Sequence, residues 1–329
     1  MTQKSQPLLK TEHLTKEFRQ GKDRILAVSD FSFEIQKGEI FGLVGESGCG
    51  KSTLGQMLVH LIEPTAGEIF LDGQDVTAPS AKEIRKLCRR MQIIFQDPYA
   101  SIDTGKKVGW LLEEPLVIHK LGADKEERKR RALEMLKAVG LDEGCYDRWP
   151  EELSGGQRQR VAIALALILE PEFVVCDEPV SALDVSVQAQ VLNLLSELRE
   201  TFGLTYLFIS HDLNVISYLS DRIGVMYLGN LVELGRAEEI SRNPLHPYTK
   251  ALFSAALAAE GEKAQILLTG DLPSPANPPA GCPFHTRCPE CMEICKTEKP
   301  PLRQISKGRL CACHGCAEPP VESVSAGGE

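Results

Sequence analysis

Between residues 8 and 80 short apolar stretches alternate with polar turns. LLKTEHLTKEF (8–18), ILAVSDFSFEI (25–35), GEIFGLVG (38–45) and GEIFLDGQDV (67–76) read as strands. KSTLGQMLVHLI (51–62) reads as a helix, and Pro64 and Gly67 punctuate the step to the next strand. MQIIFQD (91–97) is a further short strand that ends in polar residues. Residues 106–150 then take a helical period, in VGWLLEEPLVI and in DKEERKRRALEMLKAVGL, whose leucines recur at helical spacing. The mixed-sign run KEERKRR (125–131) has an apolar opposite face, so it reads as a solvated helix face and not as a nucleic-acid patch.

A second series follows. LSGGQ (153–157) opens the helix QRQRVAIALALIL, and VQAQVLNLLSELRETFG (187–203) is an amphipathic helix closed by Gly203. FVVCDE (173–178) and TYLFISHD (205–212) are continuous apolar runs of the kind found in parallel sheets covered on both faces. IGVMYLGNLVELG (223–235) reads as a hairpin around Gly229-Asn230. Helices alternating with buried strands predict an α/β core with a parallel sheet. After residue 241 the pattern changes. NPLHPYTKALFSAALAA (243–259) carries a short helix, DLPSPANPPAG (271–281) is too rich in proline for a central element, and the polar tail VESVSAGGE is expected to be disordered.

Composition narrows the classes. The 329 residues suggest about two domains, and 43% hydrophobic with 25% charged residues is ordinary for a globular protein. A formal net charge of −9 argues against nucleic acid as the main partner. The longest apolar runs, such as VAIALALIL (161–169), fall short of the ~20 residues that cross a bilayer. The N-terminus has no apolar core like that of a signal peptide. The expectation is a cytoplasmic chain that reaches the membrane only by docking on another protein.

Residues 45–53, GESGCGKST, carry the first chemistry. They fit G-x-x-x-x-G-K-[ST], with Gly45, Gly50, Lys51 and Ser52 at the fixed positions. Glycines let consecutive N–H groups turn inward on a polyphosphate, here along Gly45, Glu46, Ser47, Gly48, Cys49, Gly50, Lys51, Ser52 and Thr53. Lys51 would reach the β- and γ-phosphates, and the Ser52 hydroxyl would ligate Mg²⁺. FVVCDE supplies carboxylates at a strand end. Asp177 can hold Mg²⁺, and Glu178 can orient and deprotonate an attacking water. His211, after the strand TYLFIS, is placed to contact the γ-phosphate or that water. Ser154 is a good N-cap, and Gly155 and Gly156 expose N–H groups at a helix start. That is a second anion site in one chain, and a head-to-tail dimer with ATP between two chains is the natural inference.

The order GESGCGKST, Gln96, LSGGQRQR, CDEP, SALD (181–184), His211 resembles the nucleotide-binding subunits of ABC transporters over about residues 8–240. The resemblance implies a P-loop NTPase (RecA-like) core with an antiparallel β-subdomain and a helical subdomain near 98–160. It places Phe18 on adenine, Gln96 on Mg²⁺ and the membrane subunits, Ser154, Gly155, Gly156 and Gln157 on the partner's ATP, and Asp184 in the loop joining protomers. Three departures stand out: Val180 for the usual Thr, Leu165 for a common Arg, and SIDTGKKVGW near the expected membrane-subunit contact. No coiled-coil insertion, zinc hook or second cassette of the soluble repair and translation ATPases is visible.

NPLHPYTKAL and GCPFHTRCPECMEICKTEKPPL (281–302) resemble the C-terminal extension of dipeptide, oligopeptide and nickel importer ATPases, and MQIIFQDPYASI looks closer to the second ATPase of those systems. This implies an unlike ATPase partner, two permeases and an external binding protein. A small Cys-rich domain over 241–329 is therefore expected beside the ATPase domain, 1–240. Seven of the eleven cysteines crowd between Cys282 and Cys316, which in a reducing compartment points to metal. Cys282, Cys288, Cys295 and Cys313 match the family spacing. Some relatives carry a 4Fe–4S cluster there, and the wide spacing suits it better than zinc; zinc or no metal stay the alternatives. Cys291, Cys311 and Cys316 fall outside the match. A redox-sensing module in which ATP only modulates the cysteine region is the rival of another class.

Overall fold

The computed structural model describes residues 6–21, 23–259, 266, 268 and 270–316, so the polar tail 321–329 lies outside the described residues. β1 (Leu9–Gln20) and β2 (Asp23–Ile35) form a long hairpin. With β4 (Ala66–Leu71) and β5 (Gln74–Asp75) they make an antiparallel sheet ordered β2-β1-β4-β5.

The second sheet is the centre of the molecule. β3 (Ile40–Val44), β6 (Met91–Ile94), β7 (Phe173–Asp177), β8 (Thr205–Ile209) and β9 (Arg222–Tyr227) run parallel in the order β9-β3-β8-β7-β6. β3, β7 and β8 are buried at every position, which is why their sequences show no alternation. The pleat still sorts their side chains. On β8, Tyr206 and Phe208 face one core while Leu207 and Ile209 face the other. The second core also takes in α1 (Lys51–Leu58) and the antiparallel sheet. The first is covered by α4 (Val108–Ile118), α5 (Lys125–Ala138), α6 (Gly155–Leu167) and α7 (Val185–Phe202). Gly203 ends α7 in the left-handed region, φ 65°, as a C-terminal glycine should.

Two shorter helices follow the antiparallel sheet, α2 (Ala81–Arg90) and the single turn α3 (Pro98–Ser101). Beyond β8 come α8 (Leu213–Leu219), β10 (Asn230–Arg236), α9 (Ala237–Arg242) and α10 (Pro247–Ala259). The β9–β10 hairpin turns at Leu228-Gly229, with φ 42° and 77°, so Asn230 already belongs to the strand and pairs with Tyr227.

The C-terminal segment packs on the core of the preceding residues. After α11 (Glu293–Thr297), β11 (Arg303–Ser306) and β12 (Arg309–Cys311) extend the central sheet, with β12 antiparallel to β10. Cys282, Phe284 and Cys295 are buried in the same core as α4–α7. The Phe284 ring packs on Tyr227 and Tyr248 at centroid distances of 5.2 and 5.5 Å. The extension therefore draws apolar burial and sheet hydrogen bonds from the core of the preceding residues. Among the described residues no helix is long and apolar enough to cross a membrane.

Candidate nucleotide site

The loop 45–50 connects the end of β3 to the start of α1, at the carboxyl ends of the parallel strands. Its glycines are required by close approach. A Cβ on Gly50, whose φ is 107°, would stand 2.0 Å from the Ala27 carbonyl oxygen, and one on Gly45 would stand 2.2 Å from that of Met226. No side chain caps α1, so its first N–H groups are free to face an anion. The Lys51 ammonium is buried and donates to the carbonyls of Gly45 (2.8 Å) and Glu46 (3.1 Å), with the Cys49 thiol 3.8 Å away. Burial pushes that thiol up despite the lysine beside it. Ser47 and Gly48 are exposed at the loop's outer turn, Ser52 is exposed at the start of α1, and Thr53 is half-buried.

Ser52 Oγ donates to Asp177 Oδ1 at 3.0 Å, which joins the loop to the end of β7. Burial holds the Asp177 carboxyl above its ordinary range, and the neighbouring Glu178 adds to the rise. A buried carboxylate facing a hydroxyl fits a divalent cation, which would relieve that cost. Glu178 follows in the left-handed region, φ 48°, with its N–H donating to the Ile209 carbonyl at 3.0 Å. A glutamate in that conformation is strained, and such strain gathers at functional positions. The turn aims Oε2 at two groups. Gln96 Nε2 lies 3.2 Å away and His211 Nδ1 3.1 Å. Loops after β6, β7 and β8 thus bring Gln96, Glu178 and His211 together.

Other sequence candidates stand separately. Phe18 lies on β1 opposite Ile25, with its ring 37% exposed and the Lys16 ammonium 5.1 Å from the centroid. Ser154 caps α6, accepting from the Gln157 N–H at 3.3 Å while Gln157 Oε1 accepts from Ser154 N–H at 3.0 Å. Gly156 packs on Val187: a Cβ there would stand 2.8 Å from the Val187 Cγ1 methyl, so Val187 would have to shift. Asp184 is exposed at the start of α7. Among the described residues no hydrogen bond or ion pair ties Ser154, Gly155, Gly156, Gln157 or Asp184 to the loop 45–53. Val180 is buried, which suits an apolar side chain there.

Seven of the cysteines gather in the C-terminal extension. Cys282 feels Cys295, Cys313 and Cys291, and Cys288 feels Cys313, Cys282 and Cys291; burial pushes both thiols up to about 11. Cys311 and Cys316 bring their sulfurs to 2.9 Å. Among the described residues, however, no three His, Cys, Asp or Glu side chains are arranged to hold a metal ion.

Two functional contacts escape sequence reasoning. Glu46 N–H donates to the Tyr248 hydroxyl at 2.9 Å, and the Glu46 carboxylate accepts from both terminal nitrogens of Arg287 at 2.8 and 3.1 Å. Both partners come from the C-terminal extension. HPY and CPFHTRC were visible as motifs, but nothing in them announces the phosphate loop as their target.

Residues 28–181 match the ABC transporter family, and residues 232–295 match the oligopeptide/dipeptide transporter C-terminal region. The chain is 51% identical over 313 residues to the putative oligopeptide transport ATP-binding protein YkfD of Bacillus subtilis, covering 94% of this chain and 95% of that one. It is 49% identical over 293 residues to the dipeptide transport ATP-binding protein DppF of Haemophilus influenzae, covering 88% and 89%. Among solved structures it resembles the cassette MJ0796, a dimer in a post-hydrolysis state bound to ADP and Pi (TM-score 0.64, 32% identity, 70% of this chain and 98% of that). It also resembles cbiO1 of Clostridium perfringens, part of the complex cbiONQ (TM-score 0.66, 28% identity, 79% and 100%). The phosphate loop beside a strand-end carboxylate pair, set in this fold and shared with these relatives, makes the chain an ATPase that belongs to the ATP-binding subunits of ABC transporters, in the oligopeptide/dipeptide group.

Proposed function

We propose that this chain powers the import of di- or oligopeptides, working on the inner face of the cell membrane with a second, homologous ATPase, two permeases and an external binding protein. The observation that carries its chemistry is the single oxygen Glu178 Oε2 held between Gln96 Nε2 and His211 Nδ1. Glu178 takes the proton of the attacking water, and His211 and Gln96 fix its orientation. Lys51 leaves the loop carbonyls for the β- and γ-phosphates, while the N-terminus of α1 receives the anion. Ser52, Asp177 and Gln96 would hold Mg²⁺, which neutralises charge developing on the phosphates.

Phe18, exposed near the end of the long hairpin, stacks on adenine. Ser154, Gly155, Gly156, Gln157 and Asp184 serve the nucleotide of the facing chain, so ATP closes two chains on each other. Their separation from this chain's own loop supports that assignment. Exposed Tyr99, three residues after Gln96, and exposed Trp110 on α4 suit a permease contact. Cys282, Cys288, Cys295 and Cys313 are the proposed ligands of a 4Fe–4S cluster, with zinc as the alternative. Cys282 and Cys288 each lie within electrostatic reach of Cys313 and of each other, and this proximity of soft donors supports the reading. The thiols as placed do not converge on one point, so no step of turnover is assigned to the group.

The test is reconstitution. The chain, its companion ATPase and the permeases, in vesicles with the peptide-loaded binding protein, should hydrolyse ATP faster than the chain alone and accumulate peptide. Accumulation of nickel or another small solute in place of peptide would replace the substrate. Equal turnover by the dilute chain alone would reject the two-chain site.

A further inference from the structure

Glu46 brings a negative charge into the phosphate loop. It places a carboxylate, 27% exposed, on the loop that must receive a triphosphate. Like charges repel across short distances, and the repulsion is strongest where water is excluded. The Arg287 guanidinium covers that carboxylate with two parallel hydrogen bonds, and its side chain is only 9% exposed. The bidentate geometry fixes direction as well as charge. Glu46 in turn holds the guanidinium charged, pushing its deprotonation still further out of reach.

The grip has a second point. The Tyr248 hydroxyl accepts from the Glu46 N–H, and Tyr248 is fully buried against Tyr227 and Phe284. Phe284 lies three residues before Arg287 in the same loop, so one packed unit carries both contacts. Glu46 is therefore held by backbone and side chain from a segment about 200–240 residues distant in sequence. The Glu46 carbonyl also accepts from Lys51, the residue that must turn to the phosphates.

We propose that Arg287 is a positioning residue of the ATP site: it neutralises Glu46 and fixes the phosphate loop, so the C-terminal extension sets this chain's affinity for ATP. Arg287 meets the phosphate loop at Glu46, and its guanidinium also meets the Tyr227 hydroxyl behind it. The proposal rests on the loop 45–53 holding ATP. If the unaltered chain bound no Mg·ATP, that reading would fail, whereas the outcomes below bear on Arg287 alone.

The experiment is a charge-rescue cycle on the full chain, reading the Kd of Mg·ATP by calorimetry. Arg287→Ala exposes the loop to an unpaired carboxylate and should weaken binding about tenfold, the effect of one unit charge worth about 1.4 kcal/mol. Glu46→Gln alone supplies the remaining corner of the cycle: it leaves the Arg287 cation without its carboxylate, and the coupling is read from the Kd of all four proteins. The double variant Arg287→Ala/Glu46→Gln should recover most of the loss. Arg287→Gln, closer in size to arginine, should behave as Arg287→Ala does and covers the case in which the alanine variant fails to fold. In steady state the loss should fall on KM for ATP more than on kcat, since uniform binding is what is removed. Unchanged affinity in both Arg287 variants would overturn the proposal. So would a double variant as weak as Arg287→Ala, because lost packing cannot be repaired by removing a charge.

Discussion

Arg309 on β12 pairs with Glu233 on β10, Nη2 to Oε1 at 2.8 Å, and neither residue reaches solvent appreciably. Glu233 is saturated by the same neighbourhood. Its two oxygens accept the N–H groups of Leu245 and His246 at 2.9 Å, while Arg309 also donates to the Asn243 carbonyl. One buried carboxylate thus ties the last strand, the core hairpin and the turn before α10. The interaction links elements that the sequence suggested would lie in different domains.

Arg309→Ala should be strongly destabilising, because it leaves that carboxylate buried without its cation. Breaking such a pair costs about 3–5 kcal/mol. Chemical denaturation followed by far-UV circular dichroism checks the size. If the extension shares the core, the midpoint of a single transition should move. An early, separate transition with the rest of the curve unchanged would mean that the extension folds independently.

Glu178→Gln should keep Mg·ATP affinity and lose turnover by about 10²–10⁴-fold, the usual span for removing a general base. The amide preserves the shape between Gln96 and His211 but cannot take a proton. Phosphate release and equilibrium binding, measured on the same preparation, separate the two effects. Hydrolysis at the original rate would remove Glu178 from the proposed role.

Much of this was legible in the chain because it rests on local signals. Buried parallel strands announce themselves as continuous apolar runs, and the loop 45–53 needs glycines that a spacing rule can find. α2 has apolar residues at helical spacing, Ala81, Ile84, Leu87 and Cys88, but it is short and otherwise charged, with only Leu87 buried, so it stands out less than its neighbours. Its capping box, Ser80 with Glu83, was a second cue. The joining of β11 and β12 to the central sheet was hidden because RQIS and RLC are too short to show a period. The Arg287–Glu46 pair spans 241 positions, and no local pattern encodes which carboxylate a distant arginine will meet.

His246 gives the last prediction, a pH dependence with a definite sign. Its ring is buried against Phe284, accepts from the Tyr248 N–H at 3.1 Å and also meets the backbone of Ala312. Burial, with Lys250 nearby, pushes its pKa down to about 3. Glu233 faces the same turn but is occupied by Arg309 and two backbone N–H groups. In the unfolded chain the imidazole titrates near its ordinary value of about 6.5. Between those values the unfolded state binds a proton that the folded state refuses, so stability must fall as pH falls from about 6.5 toward 3. The slope from this one group approaches about 1.4 kcal/mol per pH unit. His246→Gln, which cannot protonate, should lower stability at neutral pH yet flatten the curve between pH 6 and 4 by close to one proton. The comparison is urea denaturation of both proteins across that range. Parallel curves would show that His246 is not held neutral by its site.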